Sequence, residues 1–261
     1  MRNLHLYPIL IVLALGPSVA RAEEAASSSL IFQSGPLQNT TVHLFTSDGN
    51  ANCNPAVEWL NARKVAGARP ELWRQVVPVA FHVKLWDIPG YKDAFARAEF
   101  DEMLLAYKKK WSAQKVYAPT VVVNGVEWSG WARSQDIPLE ASRRTGILAA
   151  DGTKRENIFE VTFKPEPSFE AGDLELHGVL MAFGLQSRPT EGKNRGKALT
   201  HDFVPLVYKK TVFRNSLGNL IASVDLPRTK GIRVQRYAAA FWITRVGDPL
   251  PLQATGNFLS S

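Results

Sequence analysis

Cysteine is almost absent from this chain of 261 residues, which contains a single one, Cys53. One thiol excludes an intramolecular disulfide, a Cys-X-X-Cys redox pair, a zinc site built from several cysteines and an iron–sulfur cluster. The composition is otherwise ordinary, with 45% apolar and 21% charged residues. These fractions are typical of a globular protein and exclude a disordered or fibrous one.

The net positive charge of the chain is also small, and it is smaller still without the N-terminal residues. The chain has 31 Lys and Arg against 24 Asp and Glu, a net charge of +7, and loss of Arg2 and Arg21 leaves +5. So small an excess does not indicate a nucleic-acid partner. The chain also lacks the Gly-x-Ser-x-Gly, phosphate-loop and His-Glu-x-x-His motifs, and we expect no cofactor.

The N-terminus has the pattern of a secretory signal peptide. Arg2 supplies a positive charge, Ile9 to Leu15 form a short apolar core, and Ala20-Arg21-Ala22 is a small-x-small cleavage site. The core is too short to span a bilayer, which takes about 20 residues. We expect residues 1–22 to be removed and the mature protein to be periplasmic or secreted, without membrane contact.

Local patterns in the next part of the chain alternate between strand and helix. Thr41 to Thr46 and Val76 to Leu85 are β-rich runs, and Asn124-Gly125 between apolar runs predicts a type I′ hairpin. One helix is predicted to begin near Cys53, and another over Lys92 to Trp111, where apolar residues recur every three or four positions. From Ile158 onward the apolar runs favour strands.

Four stretches of the chain carry recognisable patterns: Leu44 to Ala56, Ala80 to Asp87, Tyr117 to Gly125 and Asn194 to Thr200. They are similar to the patterns Phe-Thr-Ser-x-Gly-Cys-x-x-Cys-Pro-Pro-Ala, Phe-His-Val-x-x-Trp-Asp, Tyr-Thr-Pro-x-x-Val-Val-Asn-Gly and Asn-Arg-Gly-x-x-Leu. In these stretches the chain resembles a family of secreted bacterial thioredoxin-like proteins of unknown function. The resemblance implies an α/β thioredoxin-like fold followed by a β-rich C-terminal half. The resulting division is a signal peptide (1–22), an N-terminal arm (23–39), a thioredoxin-like domain (40–150) and a β-rich region (151–261).

The chain departs from this family at the redox motif. Where the family usually has Cys-x-x-Cys, this chain reads Asn50-Ala51-Asn52-Cys53. Asn50 stands at the position of the nucleophile, and an amide cannot attack a disulfide. Since dithiol exchange needs both sulfurs, a dithiol oxidoreductase is not expected.

Three interpretations of Cys53 remain open. The first is a buried residue that packs a helix against the sheet, since free cysteines are among the most buried residues. The second is a monothiol that forms mixed disulfides and needs another protein to release them. The third is one ligand of a copper or zinc site, completed by His82.

The predicted binding residues are Asn50, Cys53, His82, Trp86 and Pro119. His82 and Trp86 lie near the end of a strand, where sites of α/β sheets are commonly found. The resemblance implies that Pro119 is cis and lies against the Asn50–Cys53 loop, beside a groove for an extended peptide. We therefore expect a non-catalytic binding or accessory protein with a protein or peptide partner in the periplasm. A monothiol redox enzyme and copper or zinc handling are the alternatives.

Overall fold

The structure is a computed structural model that describes residues 30–64, 71–140, 142–170 and 172–260. The predicted signal peptide over 1–22 lies outside the described residues. So does the first part of the predicted N-terminal arm. The rest of that arm contains strand β1 (Ile31–Gln33), which pairs antiparallel with a strand more than 100 residues further along the chain.

The described residues contain two α-helices, fifteen strands and five short 3₁₀ helices. The helices are α1 (Asn54–Asn61) and α2 (Ala98–Lys110). The strands after β1 are β2 (Thr40–Thr46), β3 (Val76–His82), β4 (Thr120–Val123), β5 (Val126–Glu127), β6 (Gly146–Arg155), β7 (Ile158–Pro165), β8 (Leu174–Phe183), β9 (Leu185–Ser187), β10 (Leu199–His201), β11 (Val204–Val212), β12 (Arg214–Ser216), β13 (Asn219–Asp225), β14 (Arg236–Arg245) and β15 (Gln253–Phe258). The 3₁₀ helices are Ala51–Cys53, Ala62–Lys64, Lys84–Trp86, Gly130–Arg133 and Gly192–Asn194.

These strands form four sheets, and almost every pair is antiparallel. The first sheet has the order β3-β2-β4-β5, the second β11-β8-β14-β15 and the third β1-β6-β7-β13-β12, while β9 and β10 form a two-stranded ribbon. Among the described strands, only β2 and β3 pair in parallel. The turn between β4 and β5 has positive φ at Asn124 and Gly125, as a type I′ hairpin requires.

The predicted fold class, an α/β thioredoxin-like fold followed by a β-rich half, is wrong. The described residues are mostly strand in several antiparallel sheets, with two α-helices of 8 and 13 residues. The α/β assignment came from the family resemblance, whose motifs cover short stretches of the sequence only. They do not reveal that strands of the second half cover the first sheet and continue its core.

The second sheet lies in the middle of the molecule because both of its faces are apolar. On β14, Ala238, Ala240 and Trp242 join a core shared with the first sheet, while the alternate residues Phe241 and Ile243 join a core shared with the third. Successive side chains of a strand point to opposite faces, so a strand between two cores must be apolar on both. This explains the nearly continuous burial of β8 and β14.

The first core joins the predicted domains. It combines Phe81, Leu104 and Val121 of the first half with Phe203 and Trp242 of the second. The predicted boundary at residue 150 lies within β6. No helix among the described residues is long and apolar enough to cross a membrane.

Candidate functional site

A tight turn after β2 places the first polar residues of the site. The amide of Asn50 donates to the Ser47 carbonyl at 3.2 Å, which closes the turn around Asp48 and Gly49. A Cβ added to Gly49 would lie 2.4 Å from the Trp86 carbonyl oxygen, so only glycine permits this close approach. Asp48 is held here with 3% of its surface exposed.

The end of the adjacent strand β3 supplies a histidine. Its last residue, His82, is 1% exposed, and Nδ1–H donates to Asp93 Oδ2 at 2.7 Å. Asp93 is fixed in turn, because its Oδ2 accepts the Asp48 amide at 2.9 Å and its Oδ1 accepts the Phe95 amide at 2.9 Å. The segment that follows β3 therefore folds back onto the turn after β2.

A second histidine arrives from the C-terminal half. His201, the last residue of β10, is 2% exposed, and its Nε2 lies 3.3 Å from Asp48 Oδ1 and 2.9 Å from Ser187 Oγ. Asn194 anchors the loop before β10. Its side-chain Nδ2 donates to the Asp48 carbonyl at 3.0 Å, and its side chain also pairs with that of Asn54. Residues far apart in the sequence thus meet at one buried point.

We name Asp48, His82 and His201 the Asp–His cluster. One donor atom from each lies within 4.8 Å of the other two, and His82 Nδ1 lies 4.0 Å from Asp48 Oδ1. Two imidazoles and a carboxylate are donors that first-row transition metals accept. Of the residues described, these are the ones whose spacing would suit a metal ion.

Charge within the cluster shifts two pKa values. Burial alone would raise the pKa of Asp48, but its hydrogen bond and charge interaction with His201, together with the charge of His82, lower it to about 2. Burial alone would lower the pKa of His82, yet the charge and hydrogen bond of Asp93 and the charge of Asp48 outweigh burial and raise it. Asp48 is therefore a carboxylate at neutral pH.

The arrangement does not form a Ser-His-Asp triad. In a triad the serine and the carboxylate contact opposite nitrogens of the imidazole. Here Ser187 and Asp48 both face Nε2 of His201, while Nδ1 has no hydrogen-bond partner among the described residues. One nitrogen cannot accept a proton from Ser187 while donating to Asp48, so nucleophilic activation of Ser187 is not supported.

Cys53 lies beside the cluster, in the 3₁₀ helix just before α1. Its side chain is 1% exposed, and burial, the largest cause, raises the pKa of its thiol to about 11. Cys53 also lines a pocket of about 260 Å³ that reaches Asp48 and His201. The other lining residues are Thr46, Ser47, Asn54, Val57, Glu58, Asn61, Ala198, Leu199 and Thr200.

Asn50 and Pro119 meet as the sequence suggested. The Ala118–Pro119 peptide bond is cis, and Asn50 Nδ2 donates to the Ala118 carbonyl at 2.8 Å. Asn50 Oδ1 also accepts the Asn52 amide at 3.1 Å. The carbonyl before Pro119, which an extended peptide would use for pairing, is therefore already bonded within the chain.

Trp86, one of the predicted binding residues, lies outside the cluster, and so does Trp128. The side chain of Trp86 is half-buried against the first core. Its backbone carbonyl is the group that lies close to Gly49. Trp128 packs on Trp59 with ring centroids 5.7 Å apart. Neither ring lines the pocket beside Cys53.

Sequence reasoning selected His82 and Cys53 but missed Asp48, Asp93 and His201. Asp48 stood in a turn signal, and Asp93 in a group of acids near a predicted helix start. Asp48 lies two residues after the end of β2, where a turn aspartate is ordinary, and Asp93 lies eleven residues after the end of β3, so neither position distinguished them. His201 had no signal either, because only the packing of the second half brings β10 to this point.

Comparison with known proteins places the chain beside others of unsettled role. Residues 41–244 match a family described as protein of unknown function, DUF1223. No curated protein sequence matches the chain. Protein AGR_C_4864 from Agrobacterium tumefaciens, a crystal structure, is similar with a TM-score of 0.56 at 19% identity, covering 87% of this chain and 96% of that one. HBP35 of Porphyromonas gingivalis has a TM-score of 0.56 at 13% identity, covering 87% of this chain and 76% of that one. At these identities the similarity concerns the fold alone.

Proposed function

Since the chain belongs to DUF1223, a family of proteins of unknown function, we propose that it is a non-catalytic binding protein. Its ligand carries positive charge and enters the pocket beside Cys53. The observation that carries this proposal is the charge of the pocket wall. Asp48 and Glu58 supply carboxylates, and no lysine or arginine is among its described lining residues.

The state of Asn50 argues for binding over exchange chemistry. The side-chain amide of Asn50 is fully engaged within the chain. Its Nδ2 donates to the Ala118 carbonyl, and its Oδ1 accepts from the backbone amide of Asn52. The residue at the nucleophile position thus holds the loop against Pro119. It offers no group that forms a bond to a substrate.

The state of Cys53 argues the same way. A reactive cysteine is accessible and has a lowered pKa, whereas Cys53 is buried and its pKa is raised to about 11. Its thiol is protonated at neutral pH, and the nearby carboxylates of Asp48 and Asp93 add to that preference. This disfavours the monothiol alternative.

A positively charged ligand is consistent with an exported protein. The signal pattern of residues 1–22 supports a periplasmic or secreted location, where cationic solutes, peptides and metal ions are all present. A peptide partner would reach the pocket with an ammonium group, since the Ala118 carbonyl already accepts a hydrogen bond from Asn50.

Thermal unfolding of the mature protein with a panel of probes tests the proposal. The cationic probes are lysine amide, a lysine-containing tripeptide and Zn²⁺, and the anionic controls are glutamate and acetate. We expect a cationic probe to raise Tm, by about 5 °C or more near 100 times its Kd. Cys53→Ser should keep this response, and Asp48→Asn should reduce it.

The matched control removes a carboxylate far from the pocket. Glu166→Gln, at a surface residue that pairs with Arg144, should leave the response unchanged. A response confined to anionic probes, or one that requires the Cys53 thiol, would overturn the proposal.

A further inference from the structure

We infer that the cation is a divalent transition metal of the zinc type, bound by Asp48, His82 and His201. This inference rests on the proposed function and names the ligand of the same pocket. It differs from the copper or zinc site predicted from the sequence, because Cys53 takes no part and two residues missed there replace it.

The chemistry of the donor set selects the metal. Two imidazole nitrogens with one carboxylate oxygen suit zinc, iron, nickel or copper, whereas calcium and magnesium prefer oxygen donors throughout. Three protein ligands of this kind leave at least one coordination position for water or another ligand.

The spacing is close to what such an ion needs. With metal–nitrogen and metal–oxygen bonds of about 2.1 Å, two ligands at a tetrahedral angle lie about 3.4 Å apart. The His201 Nε2–Asp48 Oδ1 distance is already 3.3 Å, and His82 Nδ1 is 4.0 Å from the same oxygen. The ligand atoms of His82 and His201 lie within 4.8 Å of each other.

Buried negative charge adds a second, electrostatic reason. Asp48 and Asp93 are 3% and 5% exposed, and every ion pair they make among the described residues is with a histidine. A buried carboxylate needs a compensating cation. A divalent ion between the histidines would balance both carboxylates.

An ion can reach the cluster from the pocket. Asp48 and His201 line the pocket, whereas His82 is not among its lining residues. Glu58, an exposed residue, also lines the pocket. This difference separates a metal from an organic cation, which would contact Glu58 and have no access to His82.

Asp93 holds the cluster in place before an ion binds. Its Oδ2 accepts from His82 Nδ1 and from the backbone amide of Asp48. An ion at Nδ1 releases the Nδ1 proton of His82 to solvent and ends its hydrogen bond to Asp93. The Asp93 carboxylate, which lies 2.7 Å from Nδ1, is then next to the ion and adds negative charge to the site.

The experiment titrates the chelator-treated mature protein with Zn²⁺ in competition with a chromophoric chelator. We expect one equivalent to bind. His82→Gln, His201→Gln and Asp48→Asn should each weaken binding more than about 100-fold, because each removes a direct ligand. Cys53→Ser should change the Kd less than about threefold. His177→Gln is the matched control, a buried histidine bonded to Tyr208 and Thr244, and should also have little effect.

Cobalt substitution provides a readout that does not depend on the folding of a ligand variant. Bound Co²⁺ should show the visible absorption of a low-coordinate nitrogen–oxygen site, without a thiolate charge-transfer band. Binding that survives both histidine substitutions, or a thiolate band that Cys53→Ser removes, would overturn the inference. If Zn²⁺ fails to bind while lysine amide still raises Tm, this inference fails and the proposed function stands. If no cation binds, both fail.

Discussion

At the scale of single residues, an asparagine side chain holds the loop after β2. Asn50 keeps the loop closed, because its side chain bonds the Ala118 carbonyl and the backbone amide of Asn52. The only cysteine of the chain, Cys53, lies in the same loop and is buried. The loop therefore combines a structural amide with a buried thiol that lines an acidic pocket.

Removing the Asn50 side chain should destabilise the fold. We expect Asn50→Ala to lower the free energy of unfolding by about 1–2 kcal/mol, through loss of a cap and of a part-buried hydrogen bond. Denaturant unfolding measures this change. Asn52→Ala is the control, since Asn52 is exposed and bonds Asn50 through its backbone. Equal effects of the two substitutions would show that the Asn50 amide does not hold the loop.

Residue types alone revealed only part of the site. His82 and Cys53 could be selected from the sequence because each lies in a strand or helix signal near a predicted strand end. Asp48 could not be distinguished from an ordinary turn residue, since its role depends on burial by His201. Burial of that kind is a property of the packed molecule.

At the scale of elements, the ribbon of β9 and β10 completes the site. Its loop contains Asn194, which is 1% exposed and bonds both the Asp48 carbonyl and the Asn54 side chain. The ribbon thereby fixes His201 above the turn after β2. Neither strand exceeds three residues, so the position of His201 depends on these loop contacts.

Asn194→Ala should therefore loosen the ribbon. We expect a loss of about 2–3 kcal/mol in the free energy of unfolding, because buried polar partners on two segments become unsatisfied. Hydrogen exchange of residues 188–201 should become faster. Arg195→Ala, at an exposed neighbour, should change stability by less than about 0.5 kcal/mol. Unchanged exchange in Asn194→Ala would contradict this anchoring role.

Elements were easier to predict than their assembly. The β-rich run near residue 41, the helix start near Cys53 and the Asn124-Gly125 hairpin correspond to β2, α1 and the β4–β5 turn. Each depends on neighbouring residues. The pairing of β1 with β6 and the position of β10 depend on distant residues, and local patterns do not encode them.

At the scale of the whole molecule, the second sheet determines the architecture. Its two apolar faces join two cores, which is why a chain with helix signals forms a mostly antiparallel β protein. The sequence showed apolar runs in the second half, and a run buried on both faces looks the same in a sandwich as in other folds. The predicted α/β class failed at this point.

The shared core makes stability sensitive to acid. His43 is 1% exposed among Phe81, Tyr107 and Trp242, and burial lowers its pKa from 6.5 to about 3. The unfolded chain therefore binds a proton that the folded chain excludes. This contribution to stability is complete above pH 6.5 and is lost as the pH falls from 6.5 towards 3.

We expect His43 to add a slope of up to about 1.4 kcal/mol per pH unit between pH 6 and 4. Urea unfolding across this range should show a shallower dependence in His43→Gln than in the unsubstituted protein. Glu166→Gln, on the surface, should leave the slope of this pH range nearly unchanged. Parallel curves for the unsubstituted protein and His43→Gln would show that His43 is not held neutral.

The central claim, that this site binds a ligand and performs no thiol chemistry, is tested most directly by the labelling rate of Cys53. The measurement compares a thiol probe at pH 7 in the native and the urea-unfolded protein. Burial raises the pKa of the Cys53 thiol from 9.0 to about 11, which reduces its thiolate fraction about 100-fold, and burial slows labelling further. The account predicts a native rate at least that much slower. A native rate within about threefold of the unfolded rate would contradict it and return the monothiol alternative.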